Sequence, residues 1–186
     1  MSKTYNLTTP LTKEDTQKLK AGDIVLLNGT IYTARDAAHK KLVDLIEAGE
    51  ELPFDLIGSI IYFVGPTPPK PGEPIGSAGP TTSYRMDSYS PTMLKNGSLG
   101  MIGKGKRNQA VKDACKEYSG IYFGATGGAG ALLGKKITSA EVIAYPELGP
   151  EAVRKLTVKD FPVTVINDTF GNDLYQIGRA KYEVKD

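Results

Sequence analysis

The sequence contains very little cysteine, histidine or tryptophan: its 186 residues include one cysteine, one histidine and no tryptophan. The single cysteine, Cys115, excludes an internal disulfide and leaves no cysteine cluster for zinc or an iron–sulfur centre in this chain. The single histidine, His39, excludes a His-rich metal site, and any Ser/His/Asp triad would have to use it. The chain alone therefore cannot form a disulfide, a cysteine-ligated cluster or a His-rich metal site.

A large excess of one charge and a long apolar run are also missing. The chain has 23 basic and 21 acidic residues, a net charge of +2, so its global charge does not favour nucleic acid or an anionic membrane as a partner. The longest uncharged stretches, 56–69 and 119–134, are too short to span a bilayer, and proline or glycine interrupts them. The opening residues lack the apolar core of a secretory signal. We therefore expect a soluble, cytoplasmic protein with no nucleic-acid or membrane partner.

What the sequence does contain is the alternation of an α/β protein. In the middle of the chain, strand-like apolar runs alternate with helical patterns, whereas both ends look antiparallel. This pattern predicts one compact α/β domain over residues 1–186, built on a mixed sheet or on two sheets. Cys115 falls on the apolar face of a predicted helix, so we interpret it as a core residue.

Four local predictions can be compared directly with a structure. The pair Asn28-Gly29 between two β-rich runs predicts a hairpin turn. Residues 84–95 predict a helix disturbed by Pro91, and residues 151–160 predict a helix or turn. Residues 161–175 predict a closing, hairpin-like pair of strands.

Three basic residues follow predicted strands, each beside a turn rich in small residues. They are Arg35 in TARDAAH, Arg85 in GPTTSYRMD and Lys104 in MIGKGKR. Because neighbouring parallel strands end at the same edge of a sheet, where α/β proteins bind ligands, we expect the three cations to converge there. Guanidinium groups grip carboxylates with two hydrogen bonds, so the pattern suits a substrate with two carboxylates. Taken singly, each cation is more typical of a solvated surface.

Hydroxyl groups lie in the same region. Thr81 and Thr82 precede Arg85 in GPTTSYRMD, and a threonine hydroxyl becomes a useful base only where cations and backbone N–H groups stabilise its alkoxide. The structural alternative is a threonine that bonds the backbone of its own turn.

His39 lies four residues after Arg35, so both can face the same way at the start of one helix. A packed or solvated histidine is the alternative there.

Two glycine-rich stretches resemble nucleotide-binding motifs without matching them. GMIGKGKR, residues 100–107, approaches the phosphate-binding loop pattern, but Arg107 stands where a hydroxyl would hold magnesium. GATGGAGALLG, residues 124–134, lacks the spacing of a dinucleotide fingerprint. We interpret both as tight turns.

Four stretches together resemble a known family: GTIYTARDAAHKKL, GPTTSYRMDSY, GMIGKGKRN and AYPELGPEAV. They are similar, in order and from about residue 7 to residue 176, to the β subunit of class I, iron–sulfur-dependent fumarate hydratase, which also forms the C-terminal domain of single-chain members. The resemblance implies a three-layer swivelling β/β/α domain paired with a larger α subunit. It also implies that the α subunit, not this chain, holds a [4Fe–4S] cluster, and that the reaction is the reversible hydration of fumarate to (S)-malate.

The resemblance also implies roles for particular residues. Arg35, Arg85 and Lys104 match the family's dicarboxylate clamp, and Thr81 matches its proposed catalytic threonine. We add His39 to the predicted substrate-binding residues because it lies one helical turn from Arg35. Tyr84 stands where relatives carry a small residue, so it either narrows the pocket or packs outward.

Two other functions compete with this hypothesis. The β subunit of L(+)-tartrate dehydratase shares the fold and the loops, although relatives of that kind carry cysteines around the RD motif and RME in place of RMD. A non-catalytic module that binds small anions is the alternative from another class. Such a module would bind a dicarboxylate or phosphate as an isolated chain, whereas a fumarate hydratase β subunit alone would be inert.

Overall fold

The computed structural model describes residues 1–125 and 130–182. The strands in these residues are β1 (Thr4–Thr8), β2 (Ile24–Thr33), β3 (Ile60–Tyr62), β4 (Gly100–Gly103), β5 (Ile121–Gly124), β6 (Ile137–Ala144) and β7 (Val153–Asn167). The helices are α1 (Lys13–Gln17), α2 (Asp36–Ala48), α3 (Ser90–Lys95), α4 (Gln109–Tyr118), α5 (Gly130–Gly134) and α6 (Leu174–Tyr182). Two 3₁₀ turns, Ser83–Met86 and Pro146–Glu151, complete the order. Part of the predicted glycine-rich turn, residues 126–129, lies outside the described residues.

The strands form one mixed sheet that closes on itself. β2, β3, β4 and β5 lie side by side and parallel. The long strand β7 runs antiparallel to β5 at its C-terminal end, residues 164–167, and antiparallel to β2 over residues 155–164, which completes a ring. β1 extends β2 in parallel, and β6 extends β7 in antiparallel. The predicted α/β class with a mixed sheet is confirmed.

Alternation along the strands divides the apolar residues between two cores. In β3 and the residue after it, Ile60 and Tyr62 face the inside of the ring, whereas Ile61 and Phe63 face outward. The outer core is covered by α2, α3 and α4, and Cys115 of α4 is fully buried in it, as predicted. Helices therefore cover the outer face of the parallel strands, and the antiparallel section closes the inner core.

The Asn28-Gly29 pair is not a hairpin turn, which corrects that prediction. β2 runs straight through it, and the register against β7 shifts between Leu27 and Gly29. Gly29 has φ of +99°, and the side chain of Asn28 accepts a hydrogen bond from the N–H of Asp160 at 3.0 Å. The pair therefore forms a bulge within a long strand. A bulge needs the same positive φ as a tight turn, so the local signal does not distinguish the two.

The predictions for the last third of the chain are also wrong. Residues 151–160 are neither a helix nor a turn for most of their length, because Val153 begins the 15-residue strand β7. Residues 161–175 do not form a pair of strands, because β7 continues to Asn167 and α6 follows at Leu174. The antiparallel pair is instead β6 with β7. Pairing on both edges, with β2 and β6, stabilises a strand whose charged residues point outward.

The helix predicted over 84–95 is split in two. A 3₁₀ turn covers Ser83–Met86, and α3 begins only at Ser90, with Pro91 in its first turn. Proline fits the first turn because its missing N–H would have no helical partner there. Pro91 therefore starts a helix, and Arg85 lies in the turn before it. In the described part of the chain, no helix is long and apolar enough to cross a membrane.

Candidate functional site

Parallel neighbours β2, β3 and β4 bring three loops to one edge of the sheet. Arg35 comes two residues after β2 and caps α2, and Lys104 comes directly after β4. Thr82 forms a parallel bridge with Lys104, which brings the segment from Thr81 to Arg85 to the same edge. The structure thus brings the backbone segments that carry Arg35, Arg85, Lys104 and Thr81 to one edge of the sheet.

The guanidinium groups of Arg35 and Arg85 lie on the two sides of one carboxylate, Asp36. Arg85 Nη1 is 3.6 Å from Asp36 Oδ2, and Arg35 Nε is 4.0 Å from Asp36 Oδ1. Both distances exceed those of charge-assisted hydrogen bonds, which are about 2.7–2.9 Å. The side chain of Arg85 is 40% exposed and that of Arg35 is 24% exposed. A partly exposed ion pair such as Arg85–Asp36 contributes about 0–1 kcal/mol, so another carboxylate can replace Asp36 at Arg85 at little cost. Arg35 Nε and Asp36 Oδ1 are buried without a hydrogen-bond partner.

A second acidic residue, which the sequence did not single out, also lies beside Arg35. Glu151 Oε1 is 3.4 Å from Arg35 Nε, and the Arg154 guanidinium donates hydrogen bonds to three carbonyls in and just after the turn that carries Glu151. On the other side, a methyl group on Gly65 would lie 2.8 Å from Arg35 Nη1. Only glycine leaves room for the guanidinium at this point. The sequence feature that could have pointed to Glu151 is its position in AYPELGPEAV, one of the four motifs shared with the family.

Backbone pairing fixes the segment that carries Thr81. The Thr81 N–H donates to the carbonyl of Phe63 at 2.7 Å, and the Ser83 N–H donates to the carbonyl of Lys104 at 2.9 Å. These two amides are therefore committed to the fold and cannot stabilise an alkoxide. Tyr84 is 64% exposed beside Arg85, so of the two alternatives the structure shows the outward one.

His39 lies beneath Arg35 instead of beside it. Its ring is 1% exposed and packs against Phe63 and Tyr89, with ring centres 5.3 and 6.0 Å away. Its Nδ1 is 2.9 Å from the carbonyl oxygen of Arg35, so the neutral ring donates from Nδ1–H. Burial lowers the pKa of His39 to about 4. The structure therefore places His39 as a neutral support of the Arg35 backbone, and contact with a substrate stays a prediction.

Arg107 is the residue of this region whose importance sequence reasoning missed. Its side chain is fully buried, with Nε 2.5 Å from Asp87 Oδ1 and Nη2 2.6 Å from Ser90 Oγ. The guanidinium lies 4.8 Å from the ring centre of Tyr122 and 5.2 Å from that of Phe63. Breaking a buried pair of this kind leaves an uncompensated charge and costs about 3–5 kcal/mol. The available signal was an arginine directly before Asn108, the residue that caps α4.

The residues present do not fit an iron–sulfur cluster. Such clusters are held by thiolates, and the one cysteine of the sequence, Cys115, is fully buried in the outer core. Burial raises the pKa of its thiol to about 12, so it is protonated at neutral pH. Within residues 1–125 and 130–182, no group of three His, Cys, Asp or Glu side chains is arranged to hold a metal ion.

Comparison with protein-family models places the chain in a family. The model described as Fumarase C-terminus matches residues 1–178. The chain belongs to the fumarase C-terminal family. The resemblance inferred from the four motifs is therefore confirmed.

Individual members of the fumarase C-terminal family show how much of a relative this chain covers. The chain is 47% identical over 152 residues to "Fumarate hydratase class I, anaerobic" of Escherichia coli K12, covering 81% of this chain and 28% of the relative. It is 41% identical over 175 residues to "Putative fumarate hydratase class I" of Geobacillus stearothermophilus, covering 91% and 33%. It is 40% identical over 190 residues to "Putative L(+)-tartrate dehydratase subunit beta" of Methanocaldococcus jannaschii, covering 98% and 96%. The chain thus spans about a third or less of these fumarate hydratases and nearly all of the tartrate dehydratase subunit.

The depressed pKa of His39 predicts that the domain loses stability in acid. The unfolded chain takes up a proton near the ordinary value of 6.5, whereas the folded chain takes it up only near about 4. The stabilisation is therefore complete above pH 6.5 and falls as the pH drops towards 4, by about 3 kcal/mol in all. Urea unfolding between pH 7.5 and 4 would measure the decline, with His39→Gln as the control that cannot titrate. Since His39 is the only histidine, NMR titration of its ring gives the folded pKa directly, and a value near 6.5 would contradict the prediction.

Proposed function

We propose that this chain is the β-type part of a class I fumarate hydratase, which catalyses the reversible hydration of fumarate to (S)-malate. The observation that carries the proposal is the pair of guanidinium groups, Arg35 and Arg85, held on the two sides of a weakly bound carboxylate. Lys104 reaches the same sheet edge through its backbone bridge with Thr82, the residue after Thr81. A site with this composition suits a small dianion and a proton transfer at its carbon.

In this proposal the two arginines bind the substrate carboxylates. A carboxylate of fumarate or malate can accept two hydrogen bonds from a guanidinium fork, at distances shorter than the 3.6 and 4.0 Å that separate the arginines from Asp36. The gain exceeds what the loose pairs to Asp36 contribute, so substrate displaces Asp36 from Arg85. Glu151, whose Oε1 lies 3.4 Å from Arg35 Nε, keeps Arg35 at the site while this happens.

Thr81 handles the proton. In the hydration direction its hydroxyl gives a proton to the fumarate carbon that does not receive the water oxygen, and in the reverse direction its alkoxide removes that proton from malate. As the C–H bond breaks, negative charge develops on the neighbouring carboxylate. Arg85 and Lys104 are the cations that stabilise this charge and the Thr81 alkoxide. His39 supports the clamp from below as a positioning residue.

The rest of the active site belongs to a partner in this proposal. More than two thirds of the length of the fumarate hydratases lies outside the match, and the residues of this chain do not fit a cluster. We assign the [4Fe–4S] cluster and the groups that act on the water oxygen to a larger α subunit. The α–β complex and its cytoplasmic location are parts of the same proposal.

A second candidate is the β subunit of L(+)-tartrate dehydratase. The observation that favours it is the Methanocaldococcus jannaschii relative, which this chain covers almost end to end. Tartrate is also a hydroxy dicarboxylate that loses water, so the same clamp and the same proton transfer would serve it. The motifs TARDAAH and RMD favour fumarate.

Anaerobic reconstitution distinguishes the candidates. The chain would be combined with its candidate larger subunit, iron and sulfide, and fumarate, malate and L-tartrate would be supplied separately. We expect turnover of fumarate and malate that requires both chains, measured by fumarate absorbance. Turnover of L-tartrate alone would show that L-tartrate, and not fumarate, is the substrate. Tight binding of dicarboxylate by this chain alone, without activity in an intact complex, would support the anion-binding module.

Removing the Thr81 hydroxyl should abolish chemistry and spare binding. In the reconstituted complex, Thr81→Ala should lower kcat by about 10²–10⁴-fold with KM changed little, because general acid–base catalysis contributes factors of this size. Thr81→Ser keeps a hydroxyl and is the matched control, expected to retain a substantial part of the rate. An equal loss of substrate binding in Thr81→Ala would make the residue structural.

The two neighbouring lysines of the GKGKR turn provide a test of the clamp. Lys104→Ala should raise KM for malate and lower kcat, whereas Lys106→Ala, an exposed change two residues away, should leave both unchanged. Arg85→Ala should act like Lys104→Ala with a larger effect on KM, since a bidentate contact is lost. Steady-state kinetics of the complex measure all three. Identical effects of the two lysine variants would show that Lys104 is not part of the dicarboxylate clamp.

A further inference from the structure

Several segments of the site contact one buried side chain, Arg107. Asp87, two residues after Arg85, accepts a hydrogen bond from Arg107 Nε at 2.5 Å. The same carboxylate accepts one from the Asn108 N–H at 2.9 Å, where the GKGKR turn enters α4. Asp87 therefore joins the turn that carries Arg85 to the turn that carries Lys104, and Arg107 fixes the direction of its carboxylate.

The two aromatic rings against the guanidinium lead to the rest of the site. Phe63 lies 5.2 Å from it, and its carbonyl accepts the Thr81 N–H. Tyr122 lies 4.8 Å from it, and its hydroxyl lies 2.9 Å from Ser83 Oγ and 2.8 Å from the Gly105 carbonyl. Ser83 and Gly105 flank the bridge between Thr82 and Lys104. Phe63 and Tyr122 therefore connect Arg107 to the segments that carry Thr81 and Lys104.

The side chains around Gly103 are also tightly packed. A methyl group on Gly103, the last residue of β4, would lie 1.9 Å from Ser83 Oγ and 2.8 Å from the ring of Phe63. The segments cannot close further on each other, and Arg107 holds them from opening. The guanidinium donates to Asp87 and Ser90 from two different nitrogens and lies over the rings of Phe63 and Tyr122. A compact ammonium group lacks this planar fork.

We infer that Arg107 is a positioning residue, whose buried guanidinium sets the relative placement of Arg85, Lys104 and Thr81. It touches no substrate and acts through Asp87, Phe63 and Tyr122. The inference rests on the proposed function for its catalytic consequence, but its structural consequence can be measured without turnover.

The test compares Arg107→Lys with a control of similar stability. Arg107→Lys keeps the charge and loses the planar fork, and Val163→Ala removes buried volume from the inner core away from this edge. Urea unfolding would first rank their stabilities. Hydrogen exchange by NMR would then follow the amides of Thr81 and Ser83. We expect Arg107→Lys to raise exchange at these two amides by about tenfold or more while the β2 and β7 amides follow global stability.

In the reconstituted complex, Arg107→Lys should lower kcat/KM by about 100-fold, the effect of a displacement near 1 Å in a catalytic group. Val163→Ala should keep kcat/KM close to that of the unmodified complex. If Arg107→Lys does not fold, Asp87→Asn removes the same pair from the other side and takes its place in both measurements. Exchange at Thr81 and Ser83 that rises only in step with the whole sheet would overturn the inference. A complex without activity towards any dicarboxylate would contradict the proposed function and leave the exchange result to decide the role of Arg107.

Discussion

The fold depends on the pairing of β7 with two strands that are far apart in the sheet. The C-terminal end of β7 completes the row of parallel strands at β5, and residues 155–164 pair with β2. Closure fixes the parallel strands side by side with their C-terminal ends on one edge, and it encloses an inner core to which all seven strands contribute. The candidate site lies at that edge because the chain has to turn there after β2, β3 and β4. Loops that carry cations can then meet without being close in sequence.

At the edge, opposite charges are paired on two levels that differ in solvent access. Near the surface, Arg35 and Arg85 share Asp36 at distances that a ligand carboxylate can improve on. Beneath them, Arg107 and Asp87 are paired closely and out of solvent. Exposed pairs exchange partners at little energetic cost, whereas buried pairs do not. The upper level is thus suited to binding and the lower one to holding the shape that binding requires.

Much of this arrangement could be predicted from sequence because it depends on local patterns. The position of a basic residue after a strand predicted where Arg35 and Lys104 lie, and apolar periodicity predicted that Cys115 is buried. The failures concern partners distant in the chain. Asn28-Gly29 has the chemistry of a turn, and only the pairing with β7 makes it a bulge. The sequence placed Arg107 only in a tight turn, because its partners Asp87, Ser90 and Tyr122 come from segments distant in the chain.

The burial of Cys115 has a practical consequence for work on this domain. A thiol whose pKa is raised to about 12 and whose side chain is inaccessible does not react with maleimides at neutral pH. The natural sequence therefore serves as an unreactive background for site-selective labelling. A cysteine introduced at Tyr84, which projects outward beside Arg85, would accept a fluorophore at the rim of the site. Its emission would then report when another polypeptide covers that rim, independently of any catalytic assay.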